Sequence, residues 1–304
     1  AVLAAVARAG QLGVLVKGGG PLENLGTLRA VAFDKTGTLT EGKPALREVV
    51  PVEGISREEL LARAASLENG SEHPLAAAIV AGAQAEGLSL QDTEDFDAPS
   101  GKGVTGRVGS KSVALGNRAL FDGLGIDVSP LEARSNALRG EGATTVFVGI
   151  GGKLAGLIAV ADPVKKTTAE ALRLLHKEGL RIVMLTGDGR ATAEAVARDL
   201  GIDEVEAEVL PEDKAEVVKR LQREGRIVAM AGDGVNDAPA LASADVGIAM
   251  GSGTDVAMES AGVTLVKGDL LGILRARELS RATMRNIRQN LFFAFVYNAA
   301  GVPI

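Results

Sequence analysis

Asp34-Lys35-Thr36-Gly37-Thr38-Leu39-Thr40 stands directly after the short, mostly apolar run Arg29-Ala30-Val31-Ala32-Phe33. That run reads as a buried strand, so Asp34 falls where the chain leaves a sheet. Open α/β sheets place their chemistry at such strand ends. A carboxylate there can attack a phosphoryl group and hold it as an acyl phosphate, dividing one hard displacement into two easier ones. The glycine and the threonines that follow offer backbone N–H groups and hydroxyls to phosphate oxygens. The plain alternative is an acidic turn after a strand.

Working outward, the next strand-like pattern, Ile158-Ala159-Val160, comes far downstream, and Thr186-Gly187-Asp188 lies about 150 residues beyond Asp34, too far for one short connection. A second domain is therefore expected between them. Its interior contains helix patterns at Glu58–Glu68 and Leu75–Glu86, then alternating, glycine-punctuated segments such as Gly103–Val108 that read as hairpin strands. Beyond Thr167, helices at Thr168–Glu178, Ala191–Leu200 and Glu212–Glu224 alternate with strands at Arg181–Leu185, Val205–Val209 and Arg226–Met230. Alternation of this kind predicts an α/β protein with a doubly wound parallel sheet, its first strand Arg29–Phe33 and an α+β domain inserted after it.

Composition sets bounds. The 304 residues, 46% hydrophobic and 24% charged, suffice for two domains with real cores. A formal charge of −6 argues against a nucleic-acid-binding surface, which needs clustered Lys and Arg. With no cysteine, the chain has neither disulfides nor a thiolate metal site. No signal peptide is recognisable at Ala1, and the chain reads as a segment of something longer. Its apolar end, 290–304, is shorter than the ~20 residues of a membrane span. It follows Arg275, Arg277, Arg281, Arg285 and Arg288, a positive excess expected on the cytoplasmic side of a membrane helix or on an amphipathic surface helix.

Four blocks in order resemble the P-type ATPases: the heptapeptide at Asp34, Thr186-Gly187-Asp188, Leu210-Pro211-Glu212-Asp213-Lys214, and Gly232-Asp233-Gly234-Val235-Asn236-Asp237-Ala238-Pro239-Ala240-Leu241. Ser71-Glu72-His73-Pro74 resembles the nucleotide-site motif of the heavy-metal branch, and Tyr297-Asn298 its copper(I)-exporting subgroup. The resemblance implies a haloacid-dehalogenase-like phosphorylation (P) domain over 27–45 and 158–280 and a nucleotide-binding (N) domain over 46–157. It makes 1–26 the cytosolic end of a membrane helix with its linker, and 281–304 the start of the next membrane helix. The whole would be a membrane protein with this segment on the cytoplasmic side, its partners ATP, the transported ion, and the actuator and membrane domains of the same polypeptide.

The same resemblance assigns the site. Asp34 is the nucleophile, with Mg²⁺ held by Asp34, the Thr36 carbonyl and Asp233; oxygen ligands of this kind suit that ion. Lys214 neutralises charge on the transferring phosphoryl group, although a lysine there alone would read as a solvated helix residue. Thr186 and the Gly187 N–H bind phosphoryl oxygens, and Asp237 supports Asp233 or metal-bound water. Glu72, His73, Gly101, Gly103 and Asn117 form the nucleotide pocket, with Lys35, Thr36, Gly187, Asp188 and Asn236 on the same cofactor. A histidine opening a helix also serves as a cap, and Gly-Lys-Gly also makes a hairpin turn. Tyr297 and Asn298 are candidate ligands of the transported ion, or interfacial anchors.

One departure bears on the chemistry. Many phosphatases of this superfamily carry a second aspartate two residues after the nucleophile, where this chain has Thr36. Without that acid–base group an acyl phosphate is hydrolysed slowly, which suits a pump that couples phosphorylation to movement better than a soluble phosphatase. The Thr-Gly-Glu tripeptide of the family's actuator domain does not occur here. A zinc or cadmium pump of the same branch is the other alternative.

Overall fold

The computed structural model describes residues 2–71 and 73–301. The chain opens with α1 (Val2–Gln11), β1 (Val14–Val16), α2 (Gly19–Thr27) and β2 (Ala30–Asp34). It continues through β3 (Ala45–Pro51), α3 (Arg57–Glu68), α4 (Pro74–Ala85), β4 (Thr93–Asp97), β5 (Gly103–Val108), β6 (Lys111–Gly116), α5 (Arg118–Gly123), α6 (Ser129–Gly140), β7 (Thr144–Ile150) and β8 (Lys153–Ala161). There follow α7 (Thr168–Lys177), β9 (Arg181–Leu185), α8 (Arg190–Leu200), β10 (Glu204–Glu206), α9 (Lys214–Arg223), β11 (Val228–Gly232), α10 (Ala238–Ser243), β12 (Val246–Met250), α11 (Asp255–Ser260), β13 (Val263–Leu265) and α12 (Leu271–Gly301). Two compact units result, one of residues 1–40, 164–189 and 197–304, the other of 41–163 and 190–196.

The first unit is built on a seven-stranded sheet of order β1-β13-β12-β11-β2-β9-β10. Strand β2 runs parallel to β11 on one side and β9 on the other. All its residues are buried, as a strand covered on both faces by crossover helices must be. Helix α9 supplies one cover: Ala215, Val218 and Leu221, at helical spacing, pack with Ala30, Ala32, Val183, Leu185, Val228 and Met230. Asp34 is the last residue of β2 rather than the first beyond it.

The second unit carries a six-stranded antiparallel sheet of order β3-β8-β7-β6-β5-β4. Helices α3 and α4 cover one face, with Leu60, Leu61, Ala64 and Ile79 against Val104, Val113, Leu115, Ile158 and Val160. Helices α5 and α6 cover the other, with Phe121, Val128 and Leu138 against Phe147, Leu157 and Ala159. Caps start these helices: Ser56 Oγ accepts from the Glu59 N–H at 3.0 Å, and Asn117 Oδ1 from the Leu120 N–H at 3.1 Å.

Three expectations change. Ile158–Val160 does not resume the parallel sheet: it lies in β8, paired antiparallel with β3 and β7. The inserted unit accordingly spans 41–163 rather than 46–157. The segment 1–26 is not merely a linker, because β1 adds an antiparallel edge strand beside β13. Finally, α12 crosses the expected boundary at 280 as one continuous helix, packing Ile273, Ala276, Arg277, Ser280 and Thr283 inward and exposing Leu291, Phe292, Phe293, Phe295 and Tyr297. Among the described residues, no helix is long and apolar enough to cross a membrane.

Candidate active site

At the end of β2 the chain makes a tight loop through Lys35–Leu39. Thr36 stays extended, Gly37 turns to φ 75°, and Thr40 closes the loop. The Thr40 N–H donates to the Lys35 carbonyl at 3.1 Å, the Thr40 hydroxyl to the same carbonyl at 3.0 Å, and the Gly37 N–H to Thr40 Oγ1 at 3.3 Å. A Cβ on Gly37 would collide with the Asp233 carboxylate, so both the positive φ and the contact require glycine. The buried Thr38 hydroxyl has no hydrogen-bond partner, which leaves it available to a phosphoryl oxygen.

Opposite this loop, Leu210–Asp213 turns into α9 and places Lys214 Nζ 2.7 Å from Asp34 Oδ1 and 2.7 Å from Asp237 Oδ1. Asp237 Oδ2 accepts the N–H groups of Asp233 and Gly234, each at 3.1 Å, so Asp237 orients the strand end from which Asp233 projects. Carboxylate oxygens of Asp34, Asp233 and Asp237 lie within 4.8 Å of one another. Three buried or half-buried carboxylates outnumber the lysines acting on them, Lys214 and Lys165, and leave a negative excess. Their all-oxygen donor set fits a hard divalent cation such as Mg²⁺.

The titration shifts report that excess. Burial, followed by the Asp237 carboxylate, pushes Asp34 up to about 7 against the pull of Lys214. Asp233 is raised by burial and by Asp237, offset in part by the charges of Lys165 and Lys214. Burial acts against the Lys214 ammonium, but the Asp34 and Asp237 carboxylates outweigh it and hold the lysine charged. A bound cation would do for the carboxylates what protons otherwise do.

The remaining candidates divide between the two units. Thr186, at the end of β9, is buried, and its Oγ1 accepts the Asp188 N–H at 3.1 Å. Gly187 follows at the same sheet edge. Lys35 forms an ion pair with Asp188, so these two assigned residues neutralise each other beside Asp34. Asn236 lies exposed in the turn Val235–Asp237.

In the second unit, His73 caps α4, its Nδ1 accepting the Leu75 N–H at 3.2 Å. Asn117 Nδ2 donates to the Gly101 carbonyl at 2.8 Å, while Gly101 and Gly103 have φ of 70° and 140°. At Gly103 a side chain would strike the Leu115 carbonyl and the Gly116 backbone. Glu72 lies outside the described residues. In the same unit Glu68, the last residue of α3, is 6% exposed, and its Oε2 has no hydrogen-bond partner among the described residues. Burial raises its pKa. The available signal was spacing, because Leu60, Ala64 and Glu68 recur every four residues on the buried face of α3. Tyr297 and Asn298 are exposed on α12, where Asn298 Nδ2 donates to the Ala294 carbonyl of its own helix.

A largely parallel sheet with an acidic cluster at the end of β2 and a second domain inserted after that strand defines the class, and comparison with known proteins agrees. A family profile for haloacid dehalogenase-like hydrolases matches residues 28–245. The chain is 57% identical over 303 residues to a copper-transporting P-type ATPase of Rhizobium leguminosarum bv. viciae, covering 100% of this chain and 36% of that protein. A zinc-transporting PIB-type ATPase in its E2.Pi state is 41% identical with a TM-score of 0.86, over 99% of this chain and 49% of that one. The catalytic domain of the CPx-ATPase CopB-B is 31% identical with a TM-score of 0.70, over 90% of this chain and 98% of that one. The chain belongs to the haloacid dehalogenase-like hydrolases and, within them, to the catalytic portions of P-type ATPases. It spans little more than a third of the curated relative's length.

Proposed function

We propose that this chain binds ATP and forms an aspartyl phosphate on Asp34, as the catalytic portion of a membrane pump that exports a soft metal ion, copper(I) before zinc or cadmium. The observation that carries the reading is Lys214 Nζ at 2.7 Å from both Asp34 and Asp237, with Asp233 close by. Asp34 Oδ attacks the γ-phosphorus in line, an O–P bond forms, the bond to the β–γ bridging oxygen breaks, and ADP leaves. Lys214 favours the ionised form of Asp34 against burial and Asp237, and then faces the charge on the transferring group. Thr38 Oγ1, Thr186 Oγ1 and the Gly187 N–H are the neutral donors for its equatorial oxygens.

Asp34, Asp233 and the Thr36 carbonyl are the residues that would hold Mg²⁺. When bound, that ion neutralises phosphate charge. Thr36, standing where phosphatases of the fold keep an acid–base aspartate, leaves the acyl phosphate without an internal group to activate water. In the second unit, His73, Glu68, Gly101, Gly103 and Asn117 form the nucleotide pocket, the Glu68 carboxylate accepting from the base's exocyclic amine. The choice of copper(I) rests on Tyr297-Asn298 and on the transported ion in the curated relative's name.

The test is Mg²⁺-dependent transfer of label from the γ-phosphate of ATP, with acid quench and hydroxylamine treatment, in this chain and in Asp34→Asn. Hydroxylamine-labile label that the variant lacks supports the reading. Rapid multiple turnover of small phosphate esters would instead make the chain a phosphatase.

A further inference from the structure

A second lysine, besides Lys214, grips the phosphorylation loop through its backbone. Where the chain returns to the first unit, Val164 bridges Thr40, the Lys165 N–H donates to the Leu39 carbonyl at 3.0 Å, and the buried Thr168 hydroxyl donates to the same carbonyl at 2.9 Å. With its backbone fixed in this way, Lys165 sends Nζ to the Gly37 carbonyl at 2.5 Å and to the Gly268 carbonyl at 3.5 Å. Holding a lysine in one geometry costs rotamer entropy, which charge-assisted hydrogen bonds must offset.

Gly37 is thereby held on two sides. Its Cα lies against the Asp233 carboxylate with no room for a side chain, and its carbonyl is tied to Lys165. Because the peptide is planar and trans, fixing the carbonyl fixes the direction of the Thr38 N–H as well. A rotation at Gly37 would break the Lys165 bond or press into Asp233, so the distance from the nucleophile loop to the metal-side carboxylate depends on this contact.

We infer that Lys165 is a positioning residue for phosphoryl transfer: its ammonium holds the Gly37 carbonyl and so sets the loop that carries Asp34 against Asp233. The inference rests on the phosphorylation reading. Lys165 acts through the loop backbone, and its role is distinct from that of Lys214, which touches Asp34 itself.

Lys165→Met keeps the side-chain length and removes the donor, while Lys165→Arg restores a cationic donor. Single-turnover labelling of Asp34 should slow at least about tenfold in Lys165→Met, with ATP affinity by calorimetry within about twofold of the parent and Lys165→Arg recovering most of the rate. Hydrogen exchange at the amides of 35–40 should quicken in Lys165→Met and return in Lys165→Arg. Labelling and exchange at parent values in Lys165→Met would overturn the inference, as would an arginine variant no better than methionine with an equal loss of Tm. Should the parent chain take no label on Asp34, the phosphorylation reading falls, and the exchange result alone decides whether Lys165 sets the loop.

Discussion

Gly37 lies against the carboxylate of Asp233, 196 positions away in the sequence, so closely that even a methyl group would enter it. Gly37→Ala therefore meets two penalties, the left-handed φ and the collision. We expect a stability loss of roughly 1–2 kcal/mol and a drop in Asp34 labelling of at least about 100-fold. Denaturant melts and the labelling assay measure these separately. Normal labelling would mean that the loop and Asp233 move apart without consequence.

Lys214→Met leaves Asp34 and Asp237 buried without their shared cation. Breaking one side of such a buried cluster costs roughly 3–5 kcal/mol, and the phosphorylation rate should fall by at least about 100-fold. Mg²⁺ should restore part of the lost Tm, since a cation at Asp233 and Asp34 supplies the missing charge. A variant as stable as the parent would show that the carboxylates find another partner.

The raised pKa values give a pH dependence with a definite sign. Folded Asp34 titrates near 7 against an unfolded value of 3.8, and Asp233 moves in the same direction. The folded site thus keeps protons that the unfolded chain has already released. Stability from these protons is complete below about pH 4 and is lost as pH rises toward 7. A divalent cation replaces them, so Mg²⁺ at up to about 100-fold excess over Kd should stabilise the fold more at pH 8 than at pH 5, by about 1–2 kcal/mol, read as a larger rise in Tm. Equal shifts at the two pH values would take Asp34 and Asp233 out of the cation site.

In the second unit, Glu68 and His73 should separate stability from binding. Glu68→Gln removes a buried charge whose Oε2 has no partner, so Tm should rise while ATP affinity falls about tenfold. His73 also caps α4, and His73→Gln confounds a lost cap with a lost contact. His73→Asn retains a capping side chain, and its affinity loss in calorimetry should appear at unchanged Tm. Unchanged affinity in both variants would place the nucleotide elsewhere.

Much of this architecture is readable in the sequence, for identifiable reasons. β2, β9 and β11 are short apolar runs that each lead into one of the blocks resembling the P-type ATPases, and the helices between them carry clean spacing. β8 misled because it lies inside its sheet with helices on both faces, Ile158 and Val160 in one core and Leu157 and Ala159 in the other. Its uninterrupted apolar run looks like that of a parallel strand. β1 was missed because three residues at a sheet edge carry no period, and Glu68 because its meaning lies in a missing partner. The loop motif marks Asp34 as a candidate, but does not show that Gly37 packs against Asp233 and has its carbonyl held by a lysine.

The central position of β2 also has a meaning for biosynthesis. Its neighbours β9 and β11 begin at Arg181 and Val228, after the whole inserted unit. At about 5–20 residues per second, this fully buried strand waits on the order of ten seconds for a partner. The six-stranded unit, contiguous over 41–163, has all its strands in hand first. Asp34 and Asp233 therefore come together only after the whole inserted unit has been made.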